Sequence, residues 1–171
     1  MLPNHQLFIH ALLSRLEPTG GALDHLSIDH LCYRVATEAE YETLKSWLKG
    51  DNELLVESII NGRRIATFRM AAPFRYQERE IWLLELPEPK PGSPYPTGWE
   101  HAEFVTDRPL ADFDRWLTDT LGVPANAIDR SGLAKPLNAD LRLRLGDGRS
   151  VKFHELPLEE VIGVELAGSG E

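Results

Sequence analysis

The sequence predicts an α+β protein: two tandem βαβββ modules forming one curved mixed sheet around a cavity, with an N-terminal helical extension. Three observations carry this expectation. The chain has 171 residues, 42% of them hydrophobic and 26% charged, which is enough for one compact core. Near its midpoint, residues 87–98 hold Pro87, Pro89, Pro91, Pro94 and Pro96, a stiff connector and neither helix nor strand. A strand, a helix and then two or three strands are read before that connector, and the same order returns after it. The expected boundaries are 1–27 for the extension, 28–90 for the first module, 91–98 for the connector and 99–171 for the second module with a C-terminal tail, all within one compact domain.

Each element has its own signal. Residues 3–17 read as an amphipathic helix with Leu7, Phe8, Ala11, Leu12 and Leu16 at helical spacing, stopped by Pro18 and Gly20-Gly21. Residues 28–35 alternate as a strand, with Leu31, Tyr33 and Val35 on one face and His30, Cys32 and Arg34 on the other. Residues 38–49 form a helix burying Tyr41, Leu44, Trp47 and Leu48, with Thr37 as N-cap, Glu40 at N3 and Gly50 closing it. Apolar runs at 54–60 and 64–70 flank Asn61-Gly62, the strongest short hairpin signal, and Ile81 to Leu86 is a further strand. After the connector, His101 to Val105 reads as a strand and 109–121 as a helix between Pro109 and Gly122. Leu141, Leu143 and Leu145 alternate with arginines, Asp147-Gly148 turns, and Val151 to Leu156 returns. The tail from Glu159 has a short apolar patch and frays at Gly168-Ser169-Gly170.

Charge narrows the function classes. With 27 acidic and 18 basic residues the formal net charge is -9, a surface that repels phosphate backbones, so no nucleic-acid partner is expected. No run of 18 or more apolar residues occurs, so no membrane partner is expected either. The first residues lack the basic region and small-residue cleavage site of a secretory signal, and a lone Cys32 forms no internal disulfide and no zinc ribbon. The expectation is a cytoplasmic protein, monomer or homodimer, whose partner is a small-molecule substrate.

The chemistry follows from the repeat. His30 precedes Glu85-Leu86-Pro87 by 55 residues and His101 precedes Glu155-Leu156-Pro157 by 54. Pairing the bare sheet faces of two such modules would bring a histidine and an acid from each to one point. Nitrogen and carboxylate donors without thiolate suit a divalent Zn, Fe, Mn, Ni or Co ion.

Asp29-His30-Leu31 through Val35, Ile60-Asn61-Gly62-Arg63, Glu85-Leu86-Pro87, Gly98-Trp99-Glu100-His101 and Lys152-Phe153-His154 together resemble the YecM-like branch of the vicinal oxygen chelate superfamily. That superfamily also holds glyoxalase I, the extradiol dioxygenases and the bleomycin-resistance proteins. The resemblance runs from about His30 to Val161. It implies paired βαβββ modules and a divalent metal site, and brings no substrate with it.

Strand parity nominates the ligands. His30 and His101 alternate against apolar neighbours and should face the cavity, and Glu85 ends its strand where the superfamily places a ligand. The last ligand is His154 or Glu155: Val151 and Phe153 should pack on the helix, sending Lys152 and His154 inward, which with the Lys-Phe-His pattern ranks His154 above Glu155 unless a bulge reverses the parity. Glu103, two residues after His101 on the same face, is the candidate catalytic base, with ligand and imidazole-orienting roles as its alternatives. Arg34, Arg142 and Arg144 share the cavity faces and are candidates for binding a substrate carboxylate; the competing reading is that they solubilise exposed strands. Glu100 is expected to be exposed, Cys32 to be inert packing, the four tryptophans to be core, and His5, His10 and His25 to lie at the surface or in helix packing.

The expected function is a divalent-metal-dependent enzyme acting on a small oxygenated, anionic metabolite. The ion would chelate two vicinal substrate oxygens as a Lewis acid while Glu103 or a displaced ligand moves the proton. Four protein ligands would leave about two octahedral positions open, suited to isomerase or lyase chemistry, and three would leave about three, room for substrate and O2 as in a dioxygenase. The alternative is a non-catalytic protein that sequesters a small molecule in the same cavity.

Overall fold

A computed structural model describes residues 2–16, 21–92 and 94–168. Glu17, Pro18, Gly20, Ser169 and Gly170, which carried parts of the expected helix stop and tail, lie outside the described residues. The first module consists of β1 (Ile28–Arg34), α2 (Glu38–Asp51), β2 (Glu53–Ile60), β3 (Arg63–Tyr76) and β4 (Arg79–Pro87), after an N-terminal α1 (His5–Leu16). The second consists of β5 (Gly98–Val105), α3 (Leu110–Asp119), a two-residue β6 (Ile128–Asp129), β7 (Asp140–Arg144) and β8 (Ser150–His154), and is followed by α4 (Leu158–Gly168). All eight strands form one mixed sheet in the order β2-β3-β4-β1-β5-β8-β7-β6.

That order is the duplication made visible. In each module the first strand runs parallel to the last, β1 beside β4 and β5 beside β8, and the two first strands pair antiparallel at the centre. The centre of the sheet is therefore a seam between modules. No helix among the described residues is long and apolar enough to cross a membrane.

Local chemistry explains most boundaries. Thr37 and Glu40 form a reciprocal capping box at the start of α2, and the helix runs past Gly50 to Asp51, where the Asn52 backbone N–H and side-chain amide both donate to the Leu48 carbonyl. Asn61 and Gly62 both take positive φ, 53° and 77°, as a tight I′ turn between β2 and β3 requires. The strand β3 is longer than its apolar run because it bends through a register shift between Arg69 and Phe74, which accommodates Pro73. The start of α3 is capped from outside the helix: Leu110 N–H donates to Glu155 Oε1 at 2.7 Å.

Three helices cover one face. Helix α2 packs with Tyr33, Val35, Phe68, Leu84 and Leu86, while α1 and α3 pack with Leu31, Ala102, Phe104, Leu141, Val151 and Phe153. Helix α1 is rotated from its expected phase. Leu7 is 72% exposed, whereas Ile9 and Leu13 are buried alongside Phe8, Leu12 and Leu16. Two of the tryptophans are not core either: Trp47 and Trp82 are exposed, whereas Trp99 and Trp116 are packed against the core. Phe113 of α3 is fully buried, with its ring 4.8 Å from that of Phe153. Phe113→Ala should therefore cost about 3–5 kcal/mol of folding free energy, read as a lowered midpoint in urea with an unchanged slope.

Candidate metal centre

The opposite sheet face lines a cavity of about 500 Å³ whose walls include Val56 and Ser58 of β2 and Arg142 of β7. Since β2 and β7 lie near opposite ends of the strand order, the sheet curves around this space. Its floor is the seam. On the antiparallel pair His30 faces Glu103 and Cys32 faces His101, while Glu85 of β4 lies beside Cys32. Strand alternation alone puts these five side chains on the cavity face, with Leu31, Ala102 and Phe104 turned into the helix-covered core.

Two register shifts refine the floor. The β1–β5 pairing slips between Ile28 and His30 and again between Cys32 and Tyr33, which leaves Asp29 and Glu100 as extra residues of their strands. Both slips turn an acid toward the histidine that follows it. His30 Nδ1 lies 2.8 Å from Asp29 Oδ2, and His101 Nδ1 lies 3.5 Å from Glu100 Oε2. Asp29 Oδ2 also accepts from Leu158 N–H at 3.1 Å, so one carboxylate orients His30 and the start of α4.

The other imidazole nitrogens converge. His30 Nε2 is 3.4 Å from Glu103 Oε1 and 3.7 Å from Glu85 Oε2; His101 Nε2 is 3.1 Å and 3.6 Å from the same two oxygens. One donor atom each from His30, Glu85, His101 and Glu103 lies within 4.8 Å of all the others. Nε2 of both histidines is buried and has no hydrogen-bond partner in satisfactory geometry. Two orphaned imidazole nitrogens beside two carboxylates fit a divalent ion of the borderline N/O-binding class. The carboxylate behind each ring is what metal-bound histidines ordinarily have.

Charge in this buried floor is tightly balanced. Burial works to lower the His30 imidazole, but the carboxylates of Glu103 and Glu85 outweigh it and push it up to about 10. His101 is likewise raised well above 6.5 against its burial, with the Glu100 carboxylate beside its Nδ1 favouring the protonated ring. Burial works to raise Glu85, yet His30 and His101 bring it down to about 2. Glu103 is held well below the usual carboxylate range, against its burial, by Lys152 and His30. The Lys152 ammonium bonds directly to Glu103 Oε1.

The sequence profile described as YecM protein matches residues 1–165. The chain belongs to the YecM family. Protein YecM of Escherichia coli K12 is 29% identical over 167 residues, covering 92% of this chain and 88% of that protein. An uncharacterised protein of Haemophilus influenzae is 34% identical over 100 residues, covering 56% of this chain and 50% of that protein. A solved structure titled Protein EC4020 superposes with a TM-score of 0.77 at 27% identity, covering 96% of this chain and 88% of its own. Methylmalonyl-CoA epimerase of Streptomyces coelicolor shares the fold, with a TM-score of 0.51 at 17% identity over 76% of this chain and 97% of its own. The YecM fold is thus that of the vicinal oxygen chelate superfamily.

The remaining candidates fall in different places on the YecM scaffold. His154 lies inward on the cavity wall, only 2% exposed, its Nε2 3.5 Å from Glu103 Oε2 and 3.6 Å from Asp29 Oδ2. Both its ring nitrogens lack partners, and burial lowers its pKa, so it is a neutral imidazole. It groups with Asp29 and His30, outside the four-donor cluster. Glu155 turns the other way. Its carboxylate caps α3, so it is not brought to the cavity, and the echo of its tripeptide with Glu85-Leu86-Pro87 does not carry a matching position.

Of the arginines, Arg142 lines the cavity. Arg144 lies two residues further along the same face but beyond the cavity edge, 67% exposed and paired with Asp129 at 2.9 Å. Arg34 is engaged at 3.1 Å by Glu100 and stacks 4.1 Å over the Tyr95 ring. Glu100 is a cavity residue, contrary to the exposure expected of it, because the register shift rotates it inward. Cys32 is a protonated thiol, pushed up to about 11 chiefly by burial. Helix α4 closes one side of the cavity with Leu158, Val161 and Ile162, where a tail with a short apolar patch and no assigned helix was expected.

Proposed function

We propose that this YecM-family chain is a divalent-metal-dependent enzyme of the vicinal oxygen chelate type, acting on a small oxygenated, anionic metabolite. The observation that carries the reading is the pair of buried Nε2 atoms, from His30 and His101, left without partners beside Glu85 and Glu103. His30, Glu85 and His101 hold the ion, which when bound supplies a Lewis acid able to take two neighbouring substrate oxygens. Asp29 and Glu100 fix the rings from behind.

Glu103 handles the proton. It is ionised and 9% exposed, and it sits between both histidines, so it meets a substrate C–H or O–H at the cluster without competing solvent. Arg142 offers a guanidinium fork to a substrate carboxylate, and Ile65, Val161 and Ile162 give the cavity apolar walls. A ligand of metabolite size fits about 500 Å³. Such a charged floor favours turnover over passive sequestration, which would be served by apolar lining throughout. Both modules that build the site are in one chain, so a monomer suffices.

The test is metal content and its linkage to protons. Protein prepared without a polyhistidine tag should hold one divalent ion per chain by elemental analysis after reconstitution. A raised histidine pKa means that metal-free His30 carries a proton which the ion must displace. Its imidazolium stabilises the metal-free fold fully below pH 6.5, and that contribution is lost as the pH rises through about 10. Glu85 contributes above pH 4.5 and loses its contribution as the pH falls through about 2. The rise in Tm on loading should therefore widen from about pH 6 to about pH 9. No stoichiometric ion at either pH would overturn the reading.

A further inference from the structure

The duplication puts an unexpected residue at the fourth corner of the floor. In the first module the parallel strand β4 sets Glu85 beside Cys32; in the second, β8 sets Lys152 beside Glu103. Across the seam, His30 faces Glu103 and Cys32 faces His101. The relation that exchanges the two histidines thus also exchanges Cys32 with Glu103, and Glu85 with Lys152. Where the first module presents a carboxylate, the second presents an ammonium.

That ammonium is neither at the surface nor idle. The Lys152 side chain is 12% exposed and that of Glu103 is 9% exposed, and Nζ bonds the same Oε1 that lies 3.1 Å from His101 Nε2 and 3.4 Å from His30 Nε2. Its neighbour across the strand on β7 is Arg142, a like charge, so the attraction that holds the Lys152 ammonium comes from the carboxylates of Glu103 and Glu85. Lys152 thus holds the one Glu103 oxygen that lies beside both imidazole nitrogens, and its ammonium competes with an ion for that oxygen and repels the ion at short range.

We propose that Lys152 is a positioning residue that keeps Glu103 out of the ion's protein ligand set and reserves it for proton transfer. The inference rests on the metal reading above. It makes the ligand set His30, Glu85 and His101, with Glu103 beside it as a separate base. The symmetric position that would have supplied a fourth ligand holds a cation in its place.

A double-mutant cycle read in metal affinity tests it. Zinc and cobalt dissociation constants are measured by calorimetry on tag-free wild type, Lys152→Met, Glu103→Gln and the double variant, with circular dichroism checking the fold. Lys152→Met should bind either ion about 10–100-fold tighter, because Glu103 is released to ligate, and its cobalt absorption spectrum should change with the added donor. Glu103→Gln alone should weaken binding, because it removes a carboxylate beside the ion and leaves the Lys152 ammonium uncompensated, and the double variant should bind no tighter than wild type. Should Lys152→Met not fold, Lys152→Gln, which keeps a donor but no charge, is read in the same way. Unchanged or weaker binding in the lysine variant, or a gain that survives Glu103→Gln, would overturn the role of Lys152 while leaving the metal site standing. Absence of binding by the wild type and the lysine variant alike would remove the metal reading itself.

Discussion

Alanine at His101 is expected to abolish stoichiometric metal binding, and alanine at His30 to do the same. Each substitution removes an orphaned Nε2 donor from a cluster whose members lie within 4.8 Å of one another. The loss should exceed the about 10–100-fold in metal affinity typical of partners behind a ligand. Asp29→Asn, which weakens the 2.8 Å contact to His30 Nδ1, should fall within that smaller range. Glu155→Ala is the informative control: it removes the cap of α3 and should cost about 1 kcal/mol of stability with metal content intact. His154→Ala should likewise retain the ion, since its nitrogens stand outside the four-donor cluster. Elemental analysis of the five proteins decides the ligand set, and full metal in both the His30 and His101 variants would reject it.

Glu103→Gln should keep the ion and lose turnover, by about 10²–10⁴-fold, the usual contribution of a positioned acid or base. The amide is nearly isosteric with the carboxylate and can still contact the histidines and Lys152, so the change isolates the proton-accepting function. Deuterium uptake from D2O into small hydroxy and oxo acids, followed by NMR, reads that step whatever the net reaction is. Uptake by the wild type that persists at full rate in Glu103→Gln would move the base elsewhere, and the neutral His154 imidazole, 3.5 Å from Glu103 Oε2, is the next group in line.

Much of the fold was legible because it is written in period two and in turn chemistry. Alternation about Leu31, Tyr33 and Val35 fixes which face His30 shows, and Asn61-Gly62 fixes the hairpin. Parity likewise separates His154, inward, from Glu155, outward. Other features depend on contacts that no local pattern encodes. Helix α1 carries apolar residues on more than one side, so which stripe is buried is chosen by Tyr76, Ile81 and the other core residues it meets. Helix α4 has its buried side only because the cavity gives Val161 and Ile162 something to cover. The two register shifts were invisible for the same reason: a one-residue slip is a property of a strand pair. A signal for them exists all the same, in the acid that directly precedes each histidine, Asp29-His30 and Glu100-His101.

The placement of the cluster on the seam also constrains how this protein can change. A fragment ending in the connector keeps His30 and Glu85 but has neither His101 nor Glu103, and the complementary fragment has the reverse deficit. Neither half can inherit the chemistry, so the two copies, once free to diverge as twins, now drift only as a married pair.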